Sequence, residues 1–270
     1  MTGLAEALAS SPQALALSSP QGLAPKAALS AFVLFCRIGG CLMLAPGFSN
    51  SQIPTQIRLF VALATTLSLT PLLFDKVPDA ALGDDPILTL RVIAVESLVG
   101  GMIGFLARIF YLALETLASG AAQMLGLSNP FGLQLESGES LAPLATLISL
   151  AALALLFAAD LHWQLLRGLV ASYDVIPVGA DFNARMALRQ VADALGESFR
   201  LALRIASPYV LYALIVNVAL ALVNRLTPQI QVFFVATPFI VGGGLVLLYF
   251  TIKPALDAFL IGFGGWLSSG

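Results

Sequence analysis

Charge is what this sequence has least of. Asp, Glu, Lys and Arg together make up 10% of its 270 residues, whereas a soluble domain carries roughly a quarter. With 59% hydrophobic residues and a mean hydropathy of +0.93, too few charges exist to coat a surface in water. Lipid or partner subunits are expected to cover it. An excess of basic residues is missing too. The formal net charge of -2 supplies no field to attract phosphates, which excludes nucleic acid as a partner.

Histidine occurs once, as His162, near Asp160. A lone histidine without clustered cysteine or carboxylate neighbours makes a poor metal site and is read as a polar residue at a helix end. The two cysteines, Cys36 and Cys41, lie in one apolar run. They sit about half a turn out of phase on a helix, so they cannot easily pair and read as small apolar residues of the interior. A Gly-x-x-x-x-Gly-Lys phosphate loop is lacking, and Gly242-Gly243-Gly244 lies inside an apolar run rather than between strand and helix. No Gly-x-Ser-x-Gly nucleophile elbow occurs. The expectation is a non-enzymatic chain with no cofactor and no metal.

Lys and Arg are absent from Met1 to Pro25, so the basic start of a cleaved secretory signal is not there. Residues 1–26 are expected to form a weakly ordered or surface-lying lead-in.

What the sequence does have is a succession of apolar runs close to the ~20 residues that cross hydrocarbon. The first is Ala27 to Pro46, interrupted by Arg37, and the second is Ile57 to Phe74. A Pro-rich acidic turn through Asp75, Pro78 and Asp84 follows. The third run, Ile87 to Leu127, would reach roughly 60 Å as one helix, so it either bends near Gly120 or projects beyond the bilayer. A fourth, Leu141 to Ala159, ends at Asp160, His162 and Trp163, a polar end that marks an interface. Pro208 to Val223 and Val232 to Phe250 form a helical hairpin, and the tail Pro254 to Leu267 is expected to lie in the interface. The fold class is all-α: a multi-helix membrane protein of long helical hairpins.

Between these runs, Val178 to Ala206 interleaves Arg185, Arg189, Arg200 and Arg204 with Asp181, Asp193 and Glu197. Phe182, Met186, Val191, Leu195, Phe199 and Leu203 recur at broadly helical spacing, which predicts an amphipathic helix. As the densest arginine cluster it is expected on the cytoplasmic side.

Within the third run, Glu96, Gly100, Gly104, Arg108 and Glu115 share a face about 120° wide at roughly 100° per residue. Gly100 and Gly104 form a Gly-x-x-x-Gly pair that lets another backbone approach, and the charges can pair with neighbouring helices. This reads as an assembly face; a proton relay would use the same residue types. The loop Ser128 to Ser140 sets Phe131, Leu133 and Leu135 in a polar, turn-forming frame. It is either a plain connection or a re-entrant, pore-lining segment, which is tolerated at depth only when buried in protein or lining a cavity.

Several stretches, in order, carry a resemblance that covers the chain from about Ala27 to Phe250. They are Arg37-Ile38-Gly39-Gly40-Cys41-Leu42-Met43-Leu44-Ala45-Pro46 with Ile53-Pro54 and Arg58, then Gly120-Ala121-Ala122-Gln123-Met124-Leu125-Gly126-Leu127-Ser128. Asp160-Leu161-His162 and Ile176-Pro177-Val178-Gly179 follow. The last is Asn217 to Phe233, with its turn at Asn224, Arg225, Pro228 and Gln229. Together they resemble the FliR/SctT family of flagellar and type III secretion export-gate subunits.

That resemblance implies one subunit of a helical hetero-oligomeric export gate in the bacterial inner membrane and flagellar basal body. Its implied partners are the gate's P and Q subunits (FliP and FliQ), FlhB and FlhA, membrane lipid, and unfolded flagellar proteins as substrates. Residues 27–179 would resemble the P subunit. Residues 180–270, the amphipathic stretch plus hairpin, would resemble the Q subunit. Carried over by position, the family's sealing plug would be Ser128, Asn129, Pro130, Phe131, Gly132, Leu133, Gln134 and Leu135. Here the usual Asp-Pro after the phenylalanines is replaced by Gln134-Leu135, and the family's Gly-x-Pro-Leu appears as Ala236-Thr237-Pro238-Phe239. Competing readings are the equivalent subunit of a virulence secretion system, a small-solute permease with a midplane site, and a purely structural membrane scaffold.

Overall fold

The computed structural model describes residues 20–49, 53–78, 86–126, 143–226 and 232–269. Among them all regular structure is helical: α1 (Pro20–Leu44), α2 (Thr55–Leu73) with a short 3-10 turn at Phe74–Lys76, α3 (Pro86–Met124), α4 (Pro143–Ala158), α5 (Leu161–Val175), α6 (Ala184–Leu226) and α7 (Val232–Ser269). The chain divides into two compact units. One comprises Met1–Phe105 with Arg167–Ala187, and the other Leu106–Leu166 with Leu188–Gly270.

In the first unit α1 packs along α2 and against the opening half of α3. Val33, Leu34, Ile38 and Cys41 of α1, and Ala45 just after it, are buried with Ala62 and Leu73 of α2, Val92 and Val99 of α3, and Leu169 and Tyr173 of α5. Hydroxyls that such a core cannot hydrate are returned to their own helix: Thr66 Oγ1 donates to the Ala62 carbonyl at 2.7 Å and Thr70 Oγ1 to that of Thr66 at 2.8 Å. Before α2 the chain turns through Gly47, at φ 90°. The Arg58 guanidinium then donates twice to the Ile53 carbonyl, at 3.0 and 2.8 Å, fixing the entry to the helix.

In the second unit α6 and α7 run antiparallel. Tyr212 Oη donates to the Ile240 carbonyl at 2.6 Å, Tyr209 and Thr251 share a 2.8 Å hydrogen bond, and Leu201 lies against Gly262. Ala121, Leu125 and Tyr209 form one buried cluster; Ala118, Ala145 and Ile148 form another, against Leu248 and Ile252. Phe110, Phe259 and Phe263, each 1% exposed, make a third, with Trp266 at its edge.

Several sequence expectations change. The third run does not break at Gly120: α3 is continuous over 39 residues, about 58 Å at 1.5 Å per residue. The fourth run ends where expected, with α4 stopping at Ala158, but the chain goes straight on into another helix. Asp160 adopts φ 56°, a left-handed turn that Asp tolerates better than most residues, and α5 starts at once after a 66° bend. The amphipathic stretch and the following run are one helix, α6, because Pro208 is accommodated within it. Proline removes the donor that would have met the Arg204 carbonyl, and the Ser207 hydroxyl donates there instead at 2.9 Å. The apolar stripe of the amphipathic stretch is mostly exposed. Met186, Leu195, Phe199 and Leu203 are exposed, while Ala194, Ser198, Ala202, Ala206 and Tyr209 are the buried side. The tail from Pro254 is not a separate segment but the continuation of α7 through Pro238 and Pro254.

Candidate functional site

Two arrangements carry functional information: a charged clasp in the first unit and an uncovered apolar hairpin in the second. The clasp centres on Arg37, the charge that interrupts the first apolar run. Arg37 and Glu96 are both fully buried, and the guanidinium meets the carboxylate through two bonds, Nε to Oε2 at 2.6 Å and Nη2 to Oε1 at 2.9 Å. The remaining donors reach the segment that leaves α5. Nη2 donates to the Ile176 carbonyl at 2.9 Å and Nη1 to Ser172 Oγ at 3.3 Å, while the guanidinium carbon lies 4.1 Å from the centroid of the Tyr173 ring. An arginine at this depth is tolerable because every face of it is met by carboxylate, carbonyl, hydroxyl or π surface.

Gly100 and Gly104 bring α1 to this position. A Cβ at Gly100 would overlap the Arg37 carbonyl oxygen, and one at Gly104 would overlap that of Cys41. The backbones of α1 and α3 therefore touch where the ion pair forms. Two exposed pairs hold the same exit segment from outside, Lys76 with Asp174 and Arg91 with Asp181. Three cations from three elements thus fasten residues 172–181.

Of the expected assembly face, Glu96, Gly100 and Gly104 are brought together, and their partner is α1 of the same chain. Arg108 and Glu115 lie farther along α3, half-buried, and have no ion-pair partner among the described residues. Both Glu96 oxygens are engaged by Arg37, an arrangement suited to fastening rather than to relaying protons. Ser172 and Tyr173 were not singled out from sequence, and Ile176 only as part of the resemblance. The signal was present in Arg37, the lone charge of the first apolar run, which requires a partner of opposite sign.

The expected plug, Ser128 to Leu135, lies outside the described residues, as do Pro228 and Gln229; Asn224 and Arg225 form the last turn of α6. His162 occupies the first turn of α5 with its ring 5.2 Å from that of Phe157 and 6.0 Å from that of Trp163. Its Nδ1 is buried without a hydrogen-bond partner. No group of three or more His, Cys, Asp or Glu side chains able to hold a metal occurs among the described residues.

Among the described residues five helices are long and apolar enough to cross a membrane, or six if the bent pair α4–α5 forms one span. In α6 and α7 the most apolar stretches are only 11% and 6% buried. Phe239, Tyr249 and Phe250 of α7, and Leu214, Val218 and Leu222 of α6, all point outward. A hairpin this apolar must be covered by lipid or protein. The profile described as Bacterial export proteins, family 1, matches residues 28–264, from α1 through most of α7. The chain belongs to that family.

Relatives within the bacterial export proteins extend the match. The flagellar biosynthetic protein FliR of Caulobacter vibrioides is 33% identical over 225 residues, covering 83% of this chain and 88% of the relative. FliR of Aquifex aeolicus is 29% identical over 223 residues, covering 81% and 83%. FliR of Escherichia coli is 25% identical over 218 residues, covering 78% and 80%. The clasp, the glycine contact and the hairpin all lie inside the family region. Family and helices together make this a multi-pass membrane protein of the export apparatus.

Proposed function

We propose that this chain is a non-enzymatic, FliR-type subunit of the flagellar type III export gate in the bacterial inner membrane. In this reading it assembles with the gate's P and Q subunits, FliP and FliQ, beside FlhB and FlhA, and forms part of the channel for unfolded flagellar proteins. The observation that carries it is the 33% identity to a flagellar relative over 88% of that relative's length. The uncovered face of α7, with Phe239, Tyr249 and Phe250 exposed, supports it, because a subunit built into an assembly leaves apolar faces for its neighbours. Residues 27–179 then take the P-like place and residues 180–270 the Q-like place.

Energy comes from separate partners, and the chain's contribution is a path and its seal. Phe131, Leu133 and Leu135 are suited to close that path: an apolar constriction excludes water and ions and yields when a polypeptide is driven through it. The relatives are named for the flagellum, which favours the flagellar over the virulence-type apparatus. The test is secretion. A strain lacking this chain should release no hook or filament protein into the medium, and a plasmid copy should restore release. Normal export in the deletion strain would overturn the assignment.

A further inference from the structure

We propose that Arg200 and Arg204 bind the phosphate of an anionic phospholipid, whose acyl chains run down the exposed face of α6. The inference requires only that the chain sits in a membrane and is independent of the export role.

Depth comes first. Residues 205–224 of α6 carry no charged side chain, and neither do residues 232–252 of α7. Each stretch is about 30 Å as a helix, the thickness of the hydrocarbon core. The two helices are antiparallel, so the charges that bound these stretches at one end, Arg204 and Arg200 on α6 with Lys253 and Asp257 on α7, fall at the same end of the hairpin. Arg204 is the first charged residue outside the apolar stretch and Arg200 lies one turn beyond, which is the depth of lipid headgroups.

At this level a cleft of about 280 Å³ is lined by Phe110, Glu197, Arg200, Leu201, Arg204 and Gly262. Arg200 Nε donates to the Gly196 carbonyl at 3.1 Å, which holds the side chain while leaving its terminal nitrogens available. Neither arginine forms an ion pair with a described residue, Glu197 included. Two like charges four residues apart on a helix repel unless an anion lies between them, and a phosphate accepts from both guanidinium forks.

The surface below the arginines selects the source of that phosphate. At 100° per residue, Leu211, Ile215, Val218 and Leu222 continue the stripe that carries Arg200 and Arg204, and each is 58 to 62% exposed. The stripe runs about 27 Å below Arg204. A cationic head site above an apolar track matches an amphiphile; free phosphate would use only the upper part.

The test uses the full-length chain purified in mild detergent together with any subunits that accompany it, with retained phosphatidylglycerol, phosphatidylcholine and inorganic phosphate measured by native mass spectrometry and thermal shift. Phosphatidylglycerol should be retained in preference to phosphatidylcholine and should raise the melting temperature, whereas inorganic phosphate should do neither. R200Q/R204Q should weaken retention by about tenfold or more, the loss expected for one charge-assisted bond. E197Q should strengthen it by removing the repelling carboxylate, and R185Q, outside the cleft, should leave it unchanged. Equal retention of the two lipids by the unmodified chain would overturn the proposal without recourse to any variant. So would undiminished phosphatidylglycerol binding by a folded R200Q/R204Q protein, or equal stabilisation by inorganic phosphate, which would mark a free-anion site.

Discussion

Arg37 on α1 and Glu96 on α3 form a bidentate ion pair with no solvent exposure on either side chain. Removing one partner leaves an uncompensated buried charge, which costs about 3–5 kcal/mol. R37A and E96A should therefore each lower the melting temperature in detergent sharply and reduce the amount of chain in the membrane. R37M/E96L should recover much of the loss, because neither charge remains to be satisfied. The reversed pair R37E/E96R should recover less, since the bonds from Arg37 to Ser172 and Ile176 and its contact with Tyr173 go with it.

Gly100 and Gly120 lie in the same helix and should respond in opposite directions. A methyl at Gly100 meets the Arg37 carbonyl, so G100A forces α1 away from α3 and should destabilise by about 1–3 kcal/mol. Nothing lies within 4 Å of a Cβ at Gly120, so G120A should gain up to about 1 kcal/mol from helix propensity. Thermal melting of the two variants side by side checks both signs.

The outer pairs Lys76–Asp174 and Arg91–Asp181 are partly exposed, and such pairs contribute roughly 0–1 kcal/mol. K76A and R91A should each shift the melting temperature little. What shift they show should shrink between low salt and about 1 M, where screening is nearly complete over contact distances. The Arg37–Glu96 contribution should persist in the same salt series.

Sealing can be tested separately from folding. F131A, or deletion of 128–135, should leave assembly intact and make the gate leaky to small ions, measured as conductance across a bilayer or as loss of ion gradients in cells. Unchanged conductance in an assembled variant would remove these residues from the seal.

The class of fold and the positions of most helices were legible in the sequence because apolar runs without charge have few alternatives to a helix in lipid. Gly100 and Gly104 were legible as a close-approach pair for a similar reason: a missing side chain has a direct geometric meaning. The identity of the approaching helix was not, since spacing within α3 says nothing of which backbone it meets; α1 proved to be the partner. The end of the run at Asp160 was legible, but the 66° bend straight into α5 was not, because a polar residue terminating an apolar run looks the same whatever the chain does next. On α6 the helical spacing of the larger apolar residues was legible, whereas the buried side, Ala194, Ser198 and Ala202, was not, since small residues carry little periodic signal.

The central claim is that this chain is one subunit of a hetero-oligomeric export gate. Affinity purification of a tagged chain from its own membranes in mild detergent tests it most directly. The account predicts stable co-purification with the P and Q subunits in a complex that survives gel filtration. Recovery of the chain alone, folded and in good yield with neither subunit present, would contradict it.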